Sequence, residues 1–335
     1  MNRLKIESRE IAIDTLPFII AEIGNNHDGN KKQALELIDA AAKSGADAVK
    51  FQTYNPDELV HPEHDLYEFF SKFRLPHEWH EELKKRAESH GMVFLSTPFD
   101  RDSAVFLNEI GVDAFKISSS DLTNLSLIRK CAEFGKPLLI STGMGSLKEA
   151  GVAIEAAHMK DNYQVAVLHC VSVYPTPIGK CQLNAIVEFR RLFDIVTGFS
   201  DHSLSPTLPV AAVALGARIV EKHFTLSRKL KGPDHAVALE PDEFALMAQG
   251  CREVCIALAK PGKIVTTELE KVRSASLRGV YASKNLHAGD TITPDTLIFI
   301  RPAAALTEAD LPAILGKALK HDIAKLTPIT FDDIE

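Results

Sequence analysis

The stretch FIIAEIGNNHDGNKKQALELIDAAAKSGADAVKFQ, residues 18–52, decides the fold. It opens on a run of β-branched and aromatic residues, 18–24, and closes on a second apolar run, 46–52. Between them Leu37, Ile38, Ala41 and Ala42 recur at helical spacing, an apolar stripe on an otherwise polar segment. Strand, helix and strand in so short a span make a parallel βαβ unit.

The same alternation continues to about residue 260. Further strands are expected at 93–97, 113–118, 137–142, 164–170, 194–200 and 217–224, which makes eight in all. Helix signals agree: Ser146 and Glu149 form a capping-box pattern, and Pro241 sits in a first turn with Gly262 past the end. The stripe of that last helix is Phe244, Met247, Ala248, Cys251, Val254, Cys255 and Leu258. Eight βα units in a chain of 335 residues imply a closed (β/α)₈ TIM barrel, an α/β fold, and no early GxGxxG supports an open dinucleotide-binding sheet.

Residues 1–260 therefore read as a catalytic barrel, with 1–16 as an N-terminal hairpin. Past Lys260 the alternation stops: 261–276 reads as a linker, and 277–335 as a small β-rich domain with short strands around a Gly289-Asp290 turn. The connection 53–76 is unusually long and would overhang the barrel mouth, where it reads as a substrate-covering loop or as an inert surface insertion.

A net charge of −7 without any Lys/Arg run argues against nucleic acid as partner. Five cysteines, an odd number without zinc or disulfide spacing, read as buried thiols in a reducing compartment. The start is too charged for a signal peptide, and no apolar run approaches about 18 residues. The expectation is a cytoplasmic protein with no membrane contact.

In such a barrel, chemistry gathers where strands end. Those positions hold Glu22, Lys50 with Gln52, Thr97, Lys116 with Ser118 and Ser119, Ser141, Ser172 with Tyr174, Ser200 with His202, and Glu221 with His223. A lysine at the end of a buried strand must be neutralised or face an anion. Lys50 and Lys116 thus read either as partners of Glu22 and Glu221 or as anion ligands. The backbone of 142–145, with glycines leading into a helix at Ser146, adds a phosphate cradle. Two lysines with several hydroxyls fit a ligand carrying both phosphate and carboxylate.

His202 and His223 end neighbouring strands, so their imidazoles could share one ion; each alone also reads as a hydrogen-bonded structural residue. Period two puts Glu221 on the side of His223, where it could orient a histidine or a bound water, and turns Lys222 away. Oxygen-rich surroundings favour Mn²⁺ or Mg²⁺ and leave Zn²⁺ and Fe²⁺ open. Asp234 and His235, in the loop after the eighth strand, read as hydroxyl ligands or as a helix-start turn.

The segments AEIGNNHDG, ADAVKFQTY, LSTPFD, DAFKISSSDL, LLISTGM, HCVSVYPTP, GFSDHS and IVEKHFTLSRKLKGPDH occur in that order. Together they strongly resemble the sialic acid synthase (N-acetylneuraminate synthase) family, and the tail resembles its antifreeze-like (SAF) domain. The resemblance implies condensation of phosphoenolpyruvate with N-acetylmannosamine or a related N-acyl amino sugar, with release of phosphate. It implies that Lys50 and Thr97 hold the phosphoenolpyruvate carboxylate region, Lys116, Ser119, Ser141 and Ser200 its phosphate, and His202 and His223 a divalent metal, Mn²⁺ before Mg²⁺. By the same resemblance Glu22 and Gln52 would face the sugar, with Glu22 a candidate acid/base, and Tyr174 and Asp234 would bind sugar or phosphoenolpyruvate. Ser172 stands where many members have Asn. The family also implies a domain-swapped homodimer in which Arg301, or less favourably Arg278, reaches the partner's sugar site.

The synthases of legionaminic and pseudaminic acids and the spore-coat proteins share these motifs, so the sugar stays open. Two further readings compete: an aldolase forming a Schiff base on Lys50 or Lys116, and a barrel without activity serving as a scaffold in polysaccharide assembly.

Overall fold

Every apolar run that alternates with a helix becomes a strand of one closed sheet. In the computed structural model, which describes residues 3–260 and 262–335, the chain forms two units, 1–260 and 261–335. The first begins with an antiparallel hairpin, β1 (Arg3–Ile6) and β2 (Arg9–Ala12). Eight parallel strands follow: β3 (Phe18–Glu22), β4 (Ala48–Thr53), β5 (Val93–Pro98), β6 (Phe115–Ile117), β7 (Leu138–Ser141), β8 (Val165–Cys170), β9 (Val196–Asp201) and β10 (Ile219–His223). They pair in chain order, and β10 closes on β3.

Register fixes which strand-end residues become neighbours. His223 lies opposite Glu22, Glu22 opposite Lys50, Gln52 opposite Thr97, and Glu221 opposite Ser200. The opposite end of the lumen is apolar and plugged. Leu4, Ile6 and Ile11 of the hairpin cluster with Phe18, Ile20, Leu95, Leu139 and Leu168 from inside the barrel. Each large side chain so buried contributes roughly 1.5–3 kcal/mol, which makes that end a rigid base.

Around the strands, the helices lay down apolar stripes. In helix Lys31–Lys43, Ala34, Leu37, Ile38 and Ala41 are buried, and Asn30 caps its start. Ser146 and Glu149 form the reciprocal capping box of helix Leu147–His158. Pro241 opens helix Pro241–Ala257, where Phe244, Met247, Ala248, Cys251 and Cys255 are buried but Leu258, at the end, is exposed. All five cysteines are free and buried. No described helix is long and apolar enough to cross a membrane.

The long connection after β4 is not bare loop. It carries short helices at Pro56–Leu59 and Tyr67–Phe73, anchored where the ring of Phe70 meets buried Tyr54 edge-to-face at 5.5 Å.

In the second unit, β11 (Gly279–Ala282) and β12 (Leu297–Ile300) pair antiparallel over a core that includes Val280, Leu286, Ile292, Leu306 and Ile329. The stretch 261–276, read as a linker, contains helix Thr267–Ser276, capped by Thr266. That helix buries none of its residues, so it has no apolar period for a sequence reading to detect. The Ser274 carbonyl accepts from the Ala303 amide, tying the helix into this unit.

Candidate active site

The C-terminal ends of the strands surround a cavity of about 370 Å³, within the range of small-molecule sites. Its lining brings together Glu22, Lys50, Gln52, Thr97, Lys116, Ser119, Ser141, Ser172, Tyr174, Ser200, His202, Glu221, His223 and Asp234. Among the expected site residues, Arg301 belongs to the second unit, where it and Arg278 are exposed.

The floor is an ionic cluster shut away from water. Lys50 Nζ lies 3.1 Å from Glu22 Oε2 and 3.5 Å from Glu221 Oε1, and Lys116 Nζ lies 3.5 Å from that same Glu221 oxygen. Ser200 Oγ donates to Glu221 Oε1 at 2.9 Å, and Lys50 donates to Thr97 Oγ1 at 3.2 Å. Both lysines therefore have carboxylate partners, yet the pairing is loose. Glu221 Oε2, Ser141 Oγ and His223 Nδ1 are buried with no hydrogen-bond partner, and Glu22 Oε2 meets Lys50 outside hydrogen-bond geometry. Such unmet capacity is costly inside a protein, and it converges on one cavity.

Environment splits the two carboxylates. Burial pushes Glu22 up, and Lys50 only partly offsets it. Burial also opposes ionisation of Glu221, but Lys116 and Lys50, helped by Ser200, overcome it and hold the group down to about 2. Lys116 is lowered by burial, whereas the same burial of Lys50 is outweighed by Glu22 and Glu221, which raise it. Two carboxyls set apart this way are suited to different jobs, one as fixed counter-charge and one as proton carrier.

Beside the cluster the imidazoles of His202 and His223 have ring centroids 5.4 Å apart. His202 Nδ1 donates to the Val171 carbonyl at 2.9 Å, which leaves Nε2 to accept from the Tyr174 hydroxyl at 3.0 Å. Burial, with His223 alongside, holds His202 down to about 3, hence neutral. Glu221 faces the lysines and Ser200 and makes no hydrogen bond to either histidine among the described residues, so the expectation that it orients one is corrected: the lysines lie closer to its oxygens.

Across the cavity the β7 turn makes the cradle. The Gly143 amide donates to Ser119 Oγ at 2.9 Å, and its carbonyl accepts from the Ser172 amide at 3.0 Å. A Cβ at 143 would stand 2.3 Å from Ser172 Oγ and 2.7 Å from Cys170 Sγ, so only glycine fits.

Asp234 hangs from the loop after β10, and its neighbour His235 pins that loop. His235 is fully buried, with Nε2 bonded to Asp28 Oδ2 at 2.8 Å and Nδ1 to Thr225 Oγ1 at 2.6 Å. His235 is thus a fastener between two mouth loops, not part of the cavity lining.

Several lining residues escaped the sequence reading. Asn25 donates to Gln52 Oε1 and accepts from Tyr54, and its place in the AEIGNNHDG segment was the available signal. Cys170, at the end of β8, counted only as a buried thiol, though strand-end position marked it too. Phe69, Phe70 and Phe99 also line the cavity, from connections whose lack of period gives no such signal, and the side chain of Met144 joins them from the turn whose backbone was expected there.

Comparison with known proteins gives a consistent picture. A model of the NeuB family matches residues 37–263, and one of the SAF domain matches 278–335. A protein of Methanocaldococcus jannaschii is 38% identical over 100% of this chain and 99% of its own. The N,N'-diacetyllegionaminic acid synthase of Legionella pneumophila is 35% identical over 95% of this chain and 94% of its own. The crystal structure of the N-acetylneuraminic acid synthetase of Leptospira borgpetersenii, in complex with citrate, superposes with a TM-score of 0.77 at 32% identity, covering 81% of this chain and 95% of that one.

Proposed function

Because this chain belongs to the NeuB family and carries a SAF domain after its barrel, we propose that it condenses phosphoenolpyruvate with an open-chain N-acyl amino sugar, releasing phosphate. The observation that carries this reading is the charge of the barrel floor. Lys50 and Lys116 converge on one oxygen of Glu221, each at 3.5 Å, while Glu221 Oε2 and Ser141 Oγ stay without a hydrogen bond, so buried ammonium and hydroxyl groups keep capacity for a ligand bearing carboxylate and phosphate.

Lys50 and Thr97 would take the phosphoenolpyruvate carboxylate. Lys116, Ser119, Ser141 and the Gly143 turn, with Ser172 and Ser200 beside them, would cradle the phosphate. Glu22, Gln52, Tyr174 and Asp234 would face the sugar. The enol carbon bonds to the aldehyde carbon, water adds to the cation left at the phosphate-bearing carbon, and the carbon–oxygen bond of that adduct breaks to free phosphate. Lys116 and the hydroxyls stabilise the departing charge, and Glu22 moves the proton.

His202 and His223 fit a divalent ion: their imidazoles lie together, burial holds His202 neutral, and His223 has a buried nitrogen without a hydrogen bond. No three His, Cys, Asp or Glu side chains gather into a metal cluster among the described residues, so water and substrate oxygens would complete the set, as hard ions such as Mn²⁺ or Mg²⁺ prefer. When bound, the ion supplies Lewis-acid polarisation of the aldehyde oxygen. We further propose a homodimer in which Arg301 reaches the partner's N-acyl group.

Phosphate release should be assayed with phosphoenolpyruvate, Mn²⁺ and a panel of N-acylated hexosamines. Release only when all three are present is expected. Borohydride trapping of pyruvate on Lys116 or Lys50 would replace this reading with an aldolase, and tight phosphoenolpyruvate binding without turnover on any sugar would leave a scaffold.

A further inference from the structure

The base of the barrel, opposite the mouth, holds two arginines without a counter-charge. Arg218, directly before β10, is 7% exposed, yet its hydrogen-bond partners are all carbonyls. Nε donates to Ile13 at 2.9 Å, and Nη1 donates to Val213 at 3.1 Å and to Ala217 at 2.8 Å. Those bonds fasten the hairpin and the end of helix Leu208–Ala214, and they leave both N–H groups of Nη2 over. Arg190, half-buried on helix Ala185–Phe193, makes no side-chain hydrogen bond or ion pair among the described residues. Its guanidinium lies across Gly216, where a Cβ would stand 2.1 Å from Nη1. Arg9, Arg228 and Arg252, by comparison, each have a carboxylate partner.

Arg190 and Arg218 line one cavity of about 100 Å³ together with Ile13, Ile195 and Thr197, and no acidic side chain among the described residues lines it. Asp14, whose charge Arg218 senses, is itself paired with Arg3 at 2.8 Å. Burial disfavours the charge of Arg218, and Arg190 alongside disfavours it further. Two guanidiniums in one small pocket repel each other, and an anion between them turns that repulsion into attraction.

We infer that this pocket is an anion site separate from the mouth, built for a phosphate group. Its space equals roughly three waters of bulk liquid, enough for one tetrahedral oxyanion and below the range of larger organic ligands. Phosphate presents oxygens in several directions and carries more than one negative charge, which suits two arginines; a carboxylate offers two oxygens in one plane. The source is free phosphate, or a phosphomonoester whose organic part leaves past exposed Ile13. Occupancy braces the hairpin, β9 and β10 against one another and stabilises the fold by mass action. The inference concerns the base alone and holds whatever reaction the mouth carries out.

Equilibrium dialysis with labelled inorganic phosphate, at fixed ionic strength, tests it in the wild type, Arg190→Gln and Lys116→Met. Arg190→Gln should weaken one class of sites about tenfold or more, and Lys116→Met should keep that class. Competition at the Arg190-dependent site by glycerol 3-phosphate assigns the group to a monoester, and competition by unlabelled phosphate without the ester assigns it to the free ion. Unfolding temperatures establish that the variants fold, and Arg190→Lys, expected to weaken the site less than Arg190→Gln, keeps the test open should Arg190→Gln fail. Unchanged binding in Arg190→Gln, or loss of all binding in Lys116→Met, overturns the inference, the second because every bound phosphate then sits at the mouth. Displacement by acetate as readily as by phosphate overturns the choice of phosphate.

Discussion

Glu221, Lys222 and His223 follow one another on β10, yet the two sides of that strand hold buried charge in opposite ways. Lys222, outside the lumen, is 0% exposed and fully engaged: it donates to Asp201 and to the carbonyls of Ser203 and Ser205. Asp201 in turn accepts from the amide and hydroxyl of Ser203. Inside the lumen, Lys50 and Lys116 share one oxygen of Glu221 at 3.5 Å while its other oxygen has no hydrogen bond. Both sides bury lysines against carboxylates. What separates structure from function is the capacity left over: the outer pair is complete without a ligand, and the inner cluster is not.

Breaking the complete side should cost the most stability. Lys222→Met leaves Asp201 buried and uncompensated, and is expected to lower unfolding free energy by roughly 3–5 kcal/mol in denaturant titration. It also loosens the 201–205 turn that carries His202. Removing a charge from the incomplete side should act on turnover instead. Lys116→Met is expected to reduce kcat/KM about 10²–10³-fold in the phosphate-release assay, with a far smaller stability loss than Lys222→Met. If the two variants lose stability alike, the distinction fails.

A third measurement uses pH on another satisfied buried set outside the lumen. His80 Nδ1 donates to the Pro76 carbonyl at 3.1 Å and Nε2 accepts from Thr53 Oγ1 at 2.8 Å, an arrangement that needs a neutral ring. Burial holds His80 down to about 4 from an ordinary 6.5. A histidine lowered in the folded state binds its proton more readily unfolded, so its contribution is complete above about 6.5 and is lost as pH falls through 4. That contribution amounts to about 3 kcal/mol. The stability difference between wild type and His80→Asn should shrink across that window. The smallest effect is expected at the second unit: Arg301→Ala should raise the sugar KM about tenfold while leaving that for phosphoenolpyruvate nearly unchanged. Equal effects on both would remove the proposed contact.

Much of this was legible before any coordinates. The strands announced themselves because each is an apolar run bounded by a helix with an apolar stripe, and both signals are local. Strand ends then marked Glu22, Lys50, Thr97, Lys116, Ser141, Ser200 and His223 as a set, because a parallel barrel puts all such ends on one face. Phe69 and Phe70 could not be found that way. They belong to a connection without period, whose place over the mouth was one of two readings of its length, and the packing of Phe70 on Tyr54 and of Phe69 on Phe70 is a tertiary fact. Helix Thr267–Ser276 was hidden for the related reason that it buries nothing.

The sequence by itself determined the barrel, the face that carries chemistry and the residue types available there, since these follow from periodicity and from the alternation of side chains along a strand. Tertiary structure alone decided which of those residues retain unmet hydrogen-bonding capacity. Lys222 and Lys50 are each a lysine at a buried strand's end, and nothing within either strand says that one has all its partners and the other does not. That depends on groups brought from distant loops and strands, Asp201 and Ser203 on one side and Glu22 and Glu221 on the other, across distances that barrel closure sets and no local pattern records.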